Sequence, residues 1–418
     1  MKIAIATLGC KVNQYESSKI INDVSTYSGV EVVAFNDVAD LYLINSCAVT
    51  SSADHKSRKL VSKARKLNPD SFIIALGCYG DLEPEMLREA GADHIIKNAD
   101  KADFLGILRA FGLIDTDRPR KDAGRIGRTR EVIKVQDGCD QFCSYCIIPH
   151  LRGKPLSSDP KIVIDEVIKA EAKGIKEIVV TGIHLGKYGH DLDLDIDLAG
   201  LVQTLLKETS ISRIRLSSIE PFEIDISLLK LVASTDRIAD HLHIPLQSGS
   251  DTILKSMNRP YTRSHYLDLI DQVRNISDDI AITTDVMAGF PGETEDDLGD
   301  TLSLIESIGF SKLHIFQYSD RPLTRSAAFS NKIDSGIKKG RARTLRFLGD
   351  RLSHRFALSQ VGSEMRVVVE DRSDQKVLRG KSSNYMDVFI NNKTESFNEI
   401  VEVKITTVTA SGLIGEMI

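Results

Sequence analysis

The sequence has 418 residues, enough for two or three domains, and its composition of 42% hydrophobic and 27% charged residues is that of an ordinary globular protein. A net charge of −5 excludes a globally basic nucleic-acid binder, so any contact with nucleic acid must be local. The first apolar run is too short for a secretory signal, and no stretch approaches the ~18 apolar residues of a membrane span. We therefore expect a cytoplasmic protein with reduced thiols and no membrane partner.

Strand and helix patterns alternate in the first part of the chain, which predicts a doubly wound parallel α/β domain over residues 1–114. The predicted buried strands are Lys2–Ala6, Leu41–Ser46 and Phe72–Gly77. A helix is predicted between the second and third of these strands, with Ser51 or Ser52 as its N-cap.

One cysteine follows each of these strands, namely Cys10, Cys47 and Cys78. The loops beyond the carboxyl ends of parallel strands form a common crevice, so we expect the three to meet at one edge of the sheet. The alternative is that they are buried free cysteines, which behave as small hydrophobic residues.

A polar, basic stretch at 115–130 reads as a linker, after which strand and helix patterns alternate again to about Ser319. Six such units predict a partial or full parallel β/α barrel in a domain spanning residues 125–355. Polar residues cluster at the predicted strand ends, which form the active-site face of such barrels.

A helical connector at 334–355 is dense in Lys and Arg, and either faces solvent or contacts RNA. Beyond it, short β-rich runs with polar turns predict a small five-stranded antiparallel β-barrel over residues 358–418.

Three more cysteines, Cys139, Cys143 and Cys146, lie within eight residues. Thiolates select soft or borderline metals, so zinc and iron–sulfur clusters are both candidates. His150 would complete a Cys3His zinc site. Without it, three thiolates would leave one iron of a [4Fe–4S] cluster open to an exogenous ligand.

The Cys-x3-Cys-x2-Cys spacing resembles the signature of radical S-adenosylmethionine (SAM) enzymes, and with the upstream cysteines the chain resembles their methylthiotransferase family. Segments typical of that family occur in its order along nearly the whole chain. They are TLGCKVNQYES, INSCAVT, LGCYG, DGCDQFCSYCIIPHLRG, EIVVTGIHLGKYG, RLSSIEP, HIPLQSGSDTILKSMNRPYT, TDVMAGFPGET and FQYSDR.

The resemblance implies two [4Fe–4S] clusters, the first on Cys139, Cys143 and Cys146 and the second on the upstream three cysteines. The first would bind SAM and cleave it reductively to a 5′-deoxyadenosyl radical, which abstracts hydrogen from the substrate. The second would carry the sulfur that a further SAM methylates. The resemblance also implies an electron donor such as flavodoxin or ferredoxin, and a sulfur source.

Contacts to SAM are implied at six positions, each of which has a structural alternative as a strand-end or turn residue. They are Tyr145, Thr181, Gly182, Glu220, Gln247 and Gly289. Two asparagines beside the upstream cysteines, Asn13 and Asn45, either bond the cluster or cap a loop.

The family branches by substrate. TLGCKVNQYES and RLSSIEP resemble the branch that modifies N6-threonylcarbamoyladenosine beside the tRNA anticodon, and the C-terminal module resembles the RNA-binding TRAM domain. Other branches act on isopentenyladenosine in tRNA or on an aspartate of a ribosomal protein. A non-catalytic protein that binds zinc and RNA is the alternative from another functional class.

The chain departs from the family pattern at Ser157–Ser158, and at Leu323 and Arg325, where the family has Gly and Pro.

Overall fold

The computed structural model describes residues 1–114, 129–373, 377–391 and 398–418. The predicted linker at 115–130 therefore lies outside the described residues, apart from its last two positions. The described residues form two compact units. The first contains residues 1–114, 138–154 and 319–327, and the second contains the rest. No described helix is both long enough and apolar enough to span a membrane.

A five-stranded sheet forms the centre of the first unit, with every adjacent pair parallel and the order β2-β1-β3-β4-β5. This is the order of a doubly wound fold, as predicted. Apolar clusters cover both faces of the sheet, which explains why its central strands are almost continuous hydrophobic runs. The strands are β1 (Lys2–Thr7), β2 (Glu31–Val33), β3 (Leu41–Ser46), β4 (Phe72–Gly77) and β5 (His94–Ile96).

Six α-helices belong to the first unit: α1 (Lys11–Val24), α2 (Ser51–Leu67), α3 (Cys78–Leu82), α4 (Pro84–Glu89), α5 (Phe104–Ala110) and α6 (Ile148–Arg152). The predicted cap of α2 was wrong. Thr50 is the N-cap, with an extended backbone and a side chain that accepts a hydrogen bond from the Ala53 amide. Ser51 and Ser52 are already inside the first turn, where a hydroxyl cannot cap.

Six parallel strands in the second unit form an open half-barrel, which confirms the predicted partial barrel. They pair as two sheets, β10-β9-β6 and β11-β12-β13. Two isolated parallel bridges, Ile214 with Ile238 and Ser218 with His243, connect the β10 segment to the β11 segment. The strands are β6 (Arg130–Lys134), β9 (Glu177–Thr181), β10 (Arg213–Leu216), β11 (His241–His243), β12 (Ala281–Ala288) and β13 (Lys312–Gln317), with a short ladder of β7 (Gln136–Asp137) and β8 (Leu156–Ser157).

Helices cover one face of the half-barrel and bury a large apolar core against it. They are α7 (Pro160–Ala172), α8 (Leu198–Glu208), α9 (Ile226–Ala233), α10 (Asp251–Ser256), α11 (Arg263–Ile276), α12 (Glu295–Ile308) and α13 (Ser335–Ser359). The opposite face carries polar side chains, among them Glu177, Arg215 and Thr283.

The C-terminal module is a closed five-stranded barrel with the order β14-β15-β16-β18-β17. It is antiparallel, as predicted, except that β16 and β18 are parallel. An odd number of strands cannot alternate in direction around a closed ring, so at least one pair must be parallel. The strands are β14 (Glu364–Ser373), β15 (Val377–Ser382), β16 (Asp387–Asn391), β17 (Ile400–Thr409) and β18 (Gly412–Met417).

Candidate functional site

The three upstream cysteines of the first unit lie just beyond the carboxyl ends of adjacent central strands. Cys10 follows β1 and is the N-cap of α1, Cys47 directly follows β3, and Cys78 begins α3 after β4. The chain reverses its winding direction between β1 and β3. Cys10 and Cys47 therefore flank the switch point at which doubly wound sheets bind ligands.

Close backbone approach draws the first two of these loops together. Gly9 has a φ of +103°, and a Cβ there would lie 2.9 Å from Cys47 Cβ. Asn13 Nδ2 donates to the Leu8 carbonyl at 2.7 Å and to the Ser46 carbonyl at 2.9 Å. Asn45 Nδ2 donates to the Asn13 carbonyl at 3.0 Å. Both asparagines thus hold the loops, and Asn13 also meets the first cysteine, because Cys10 Sγ lies 4.0 Å from Asn13 Oδ1.

The electrostatics of these thiols favour a bound cationic group. Burial, together with nearby Cys78 and Cys10, raises the pKa of Cys47 to about 11. Burial also raises the pKa of Cys10, against the opposing effect of Arg152. Cys47 and Cys78 are buried, whereas Cys10 is exposed. Neighbouring thiolates repel one another, and a metal centre removes that penalty by binding their charge. The three-sulfur donor set fits iron–sulfur or zinc chemistry.

The cysteine trio lies in a loop of the same unit. The Cys139 amide donates to the Gly153 carbonyl at 2.9 Å and closes the loop, and the Cys146 amide donates to the Cys143 carbonyl at 2.9 Å. Tyr145, one of the predicted SAM contacts, is half-buried in this loop. Helix α6 follows the loop and packs against α3, so the trio is anchored on the helix that carries Cys78.

Neither cysteine group has the compact spacing of a mononuclear zinc site. At a Zn–S distance of ~2.3 Å, tetrahedral geometry puts two sulfurs ~3.8 Å apart. Within the part of the chain that the structure describes, no three cysteine sulfurs all lie within 4.8 Å of one another. His150, the zinc ligand that the spacing suggested, is exposed. Its ring lies edge-on to the ring of Phe142, with 5.8 Å between the two ring centroids.

The remaining predicted SAM contacts lie in the second unit, at the carboxyl ends of its strands. Thr181 ends β9 and is buried. Gly182 follows it, and a Cβ there would lie 2.8 Å from Gln136 Oε1, which also accepts from the His184 amide at 2.7 Å. Gln136 therefore fixes the turn that follows β9.

Glu220 and Gln247 are linked through two other side chains. Arg259, buried in the MNRPYT segment, forms an ion pair with Glu220 and lies over the Tyr261 ring at 5.0 Å. The Tyr261 hydroxyl donates to the Leu246 carbonyl at 2.8 Å. Gln247 itself has a φ of +62°, an uncommon conformation that costs energy in a non-glycine residue and is found mainly at functional sites.

Gly289 lies in a turn that is held by hydrogen bonds to Glu293. Its φ is +75°, and its amide donates to Glu293 Oε2 at 2.8 Å. Arg341 Nη1 donates to the same oxygen at 2.8 Å. Gly289 comes two residues after Met287, whose amide donates to the Gln247 carbonyl at 2.9 Å.

Sequence reasoning missed several residues that hold these sites. Asn98 Nδ2 lies 3.8 Å from Cys78 Sγ, and Gln136 and Arg259 hold the strand-end turns. Asn98 and Gln136 both follow a strand of a parallel sheet, and that position was the available signal. Arg259 gave no signal, because a single arginine within a helix–turn segment reads as surface charge.

The basic connector helix α13 is not uniformly available to RNA. Arg341 is buried and paired with Glu293 at 2.8 Å and Glu295 at 2.6 Å, so its charge serves the fold. Lys339, Arg343, Arg346 and Arg355 are exposed. Phe347, on the same helix, has 73% of its surface exposed.

Three family models match the chain. The "Radical SAM superfamily" model matches residues 133–305, the "Uncharacterized protein family UPF0004" model matches residues 2–97, and the "TRAM domain" model matches residues 358–418. The first match covers the half-barrel from the end of β6 to α12 without β13, the second covers the first sheet, and the third covers the C-terminal barrel.

Curated relatives match over nearly the whole chain. "Threonylcarbamoyladenosine tRNA methylthiotransferase MtaB" of Bacillus subtilis is 35% identical, covering 96% of this chain and 93% of that protein. The protein of the same name from Aquifex aeolicus is 36% identical, covering 96% and 98%. The "tRNA-2-methylthio-N(6)-dimethylallyladenosine synthase" of Endomicrobium trichonymphae is 29% identical over the full length of both.

Among solved structures, the fold is similar to the radical S-adenosylmethionine methyltransferase TsrM from Kitasatospora setae, with a TM-score of 0.56. The two chains are 13% identical, and the match covers 78% of this chain and 76% of the other. At that identity the similarity extends to the fold alone.

Proposed function

Because this chain belongs to the radical SAM tRNA methylthiotransferase family, we propose that it converts N6-threonylcarbamoyladenosine in tRNA to its 2-methylthio derivative. The observation that carries the substrate assignment is the set of four relatives named for threonylcarbamoyladenosine, which are 34–36% identical to this chain. Relatives named for dimethylallyladenosine, the second candidate substrate, are 29–32% identical.

The family uses SAM and a [4Fe–4S] cluster, and Cys139, Cys143 and Cys146 are the residues that would hold that cluster. When bound, the cluster supplies the electron for reductive SAM chemistry and an open iron for SAM. Tyr145, Thr181, Gly182 and Gly289 would contact SAM. Glu220, fixed by Arg259, and Gln247 would orient it.

A second [4Fe–4S] cluster would be held by Cys10, Cys47 and Cys78, and would carry the transferred sulfur. Among the described residues, no three cysteine sulfurs all lie within 4.8 Å of one another. This supports multi-iron clusters rather than single zinc ions, because each thiolate then binds a different iron. An electron donor of the flavodoxin or ferredoxin class and a sulfur source would serve the two sites in the cytoplasm.

Iron analysis tests the cluster assignment. Anaerobically reconstituted wild-type protein should contain about eight irons per chain, and Cys143→Ala and Cys47→Ala about four each. His150→Ala is the matched control and should keep all of them. Loss of metal on His150→Ala, or zinc uptake in place of iron by the wild-type protein, would overturn the two-cluster assignment.

Nucleoside mass spectrometry of tRNA tests the substrate. A strain that lacks the gene should lose 2-methylthio-N6-threonylcarbamoyladenosine and accumulate the unthiolated nucleoside. Complementation with the wild-type gene should restore it, and complementation with Cys143→Ala should not. If that nucleoside persists in the deletion strain while the methylthio derivative of dimethylallyladenosine disappears, the second candidate substrate is correct.

Lys339, Arg343, Arg346 and Arg355, the exposed basic residues of α13 named above, are the proposed contact with the tRNA backbone. Each phosphate contact that a cation makes raises the salt dependence of binding, and an exposed aromatic ring such as Phe347 can stack on an unpaired base. Arg343→Ala with Arg346→Ala should weaken tRNA binding and lower its salt slope. Arg351→Ala is a control, because Arg351 is already paired with Glu306 at 2.6 Å.

A further inference from the structure

Two histidines and an aspartate from three neighbouring strands of the half-barrel lie together. His243 ends β11, Asp285 lies within β12 and His314 lies within β13. The alternate residues Leu242, Val286 and Ile315 pack in the core on the helix side. Since side chains alternate along a strand, the three polar residues point to the opposite face, away from the helices.

Their donor atoms have the spacing of a metal site. His243 Nε2 lies 3.3 Å and His314 Nδ1 lies 3.4 Å from Asp285 Oδ1. Two ligands at ~2.1 Å from one ion are ~3.0 Å apart in octahedral and ~3.4 Å apart in tetrahedral geometry. Among the described residues, these three form the one group of His, Cys, Asp or Glu whose ligand atoms all lie within 4.8 Å of one another.

A second layer of contacts orients the first histidine. Thr283 Oγ1 lies 2.8 Å from His243 Nδ1 and 2.9 Å from His241 Nε2. This hydrogen bond occupies Nδ1 of His243 and leaves Nε2 directed at Asp285. Ligating histidines are usually held in this way, with the second ring nitrogen bonded to another group that fixes the tautomer and the ring plane.

The group is also accessible. The side chain of His314 is 40% exposed and that of Asp285 is 23% exposed, whereas His243 is 9% exposed. Three protein ligands on one side with an accessible opposite side form the arrangement that binds a metal while leaving coordination positions open.

We propose that His243, Asp285 and His314 form a binding site for a divalent first-row transition metal ion such as Zn²⁺, separate from the six cysteines. Two imidazole nitrogens and one carboxylate oxygen suit ions of this class, whereas Mg²⁺ and Ca²⁺ prefer all-oxygen ligands. The site does not depend on the tRNA substrate proposed above. Its open positions face the polar side of the half-barrel and accept a water or another oxygen ligand.

Zinc binding to the full-length protein tests the site. The protein is reconstituted anaerobically with iron and sulfide, washed with EDTA and titrated with Zn²⁺ by calorimetry. One ion per chain should bind, with a nitrogen and oxygen shell at ~2.0–2.1 Å and no sulfur shell at ~2.3 Å in zinc X-ray absorption. Asp285→Asn and His314→Ala should each weaken binding at least about 100-fold, more than loss of an outer-shell partner does.

His265→Ala is the matched control, because His265 is exposed on α11 and should bind zinc as the wild-type protein does. Thermal unfolding of the metal-free variants shows that each is folded. The proposal is overturned if the wild-type protein binds no zinc, if the bound zinc has sulfur ligands, or if folded His314→Ala binds it with wild-type affinity. Iron content, measured on the same samples, reports separately on the cysteine clusters.

Discussion

Arg152 Nη2 donates a hydrogen bond to Asn13 Oδ1 at 2.8 Å. Arg152 ends the helix that follows the cysteine trio, and Asn13 lies on α1 three residues after Cys10. One guanidinium group therefore joins the segment that carries the trio to the loop that carries the first upstream cysteine. Arg152 also pairs with Glu16 at 3.0 Å, and Lys101 pairs with the same carboxylate at 2.5 Å.

Arg152→Met should destabilise the protein by about 3 kcal/mol, because it leaves Glu16 in a buried site with one cation instead of two. Burial opposes ionisation of Glu16, but Lys101 and Arg152 together lower its pKa. Urea unfolding of the cluster-free protein measures the change. Arg88→Met is the control, since its ion pair with Glu85 is exposed and should contribute at most about 0.5 kcal/mol. Equal effects of the two substitutions would contradict this account.

Glu177→Gln should lower the free energy of unfolding more than Arg152→Met does. Glu177 is fully buried at the start of β9, and Arg215 Nε donates to it at 3.0 Å, with Arg213 Nε at 3.3 Å. Removal of the carboxylate leaves two buried guanidinium groups without a counter-charge, which costs about 3–5 kcal/mol. Arg215 also donates to the Ser382 and Ser383 carbonyls of the C-terminal barrel. We expect both parts of the second unit to unfold at lower urea concentration. A loss below about 1 kcal/mol would show that the charges are solvated.

The same carboxylate makes stability depend on acid pH. Burial favours the neutral form of Glu177, but Arg215 and Arg213 outweigh it and lower its pKa to about 2. Since the folded pKa lies below the unfolded value of about 4.3, the stabilisation is complete above pH ~4.3 and is lost as the pH falls towards 2. Urea midpoints of cluster-free protein between pH 6 and 3 should fall with a steeper slope in the wild-type protein than in Glu177→Gln. Parallel slopes would contradict the assignment.

Much of the fold was predictable because strand and helix periodicity is a local property. Leu41–Ser46 and Phe72–Gly77 were located to the residue, since buried parallel strands are continuous apolar runs bounded by polar turns. In the half-barrel, the runs RIRLSSIE (213–220) and HLHIPLQ (241–247) predict longer strands than the structure has. Their last residues leave the regular ladder and turn into the polar strand-end loops, and composition does not show where a ladder stops.

The cysteine groups of the candidate site were predictable from the sequence, but the contacts between its buried charged residues were not. Cysteine spacing and strand ends located both thiol groups, because these depend on chain order. The contacts of Arg152, Arg259 and Glu177 depend on which elements pack together, and nothing local distinguishes a buried arginine from a surface one. The cluster of His243, Asp285 and His314 was missed for the same reason, since its members lie on three strands about 30 to 40 residues apart.

Thr50→Ala tests the corrected cap of α2. The Thr50 hydroxyl accepts from the Ala53 amide at 3.2 Å, and loss of such a cap typically costs about 1 kcal/mol. Ser52→Ala is the matched control, because Ser52 is exposed within the first turn and should change stability by less than about 0.5 kcal/mol. If Ser52→Ala were the more destabilising substitution, Thr50 would not be the cap of α2.

The backbone at Leu323 gives a physical reason for the glycine that the resemblance described above implies at this position. Its φ is +67°, and its side chain is 67% exposed, so the backbone keeps the left-handed conformation although a leucine occupies it. That conformation costs an L-residue roughly 1–2 kcal/mol, whereas glycine adopts it freely but loses about 0.5–1 kcal/mol of backbone entropy. Leu323→Gly should therefore stabilise the protein by up to about 1 kcal/mol. Leu323→Val should destabilise it by about 1 kcal/mol, because β-branching is poorly tolerated at positive φ. Thermal unfolding of the cluster-free proteins compares them, and a glycine variant less stable than the valine variant would show that the left-handed backbone is not retained in solution.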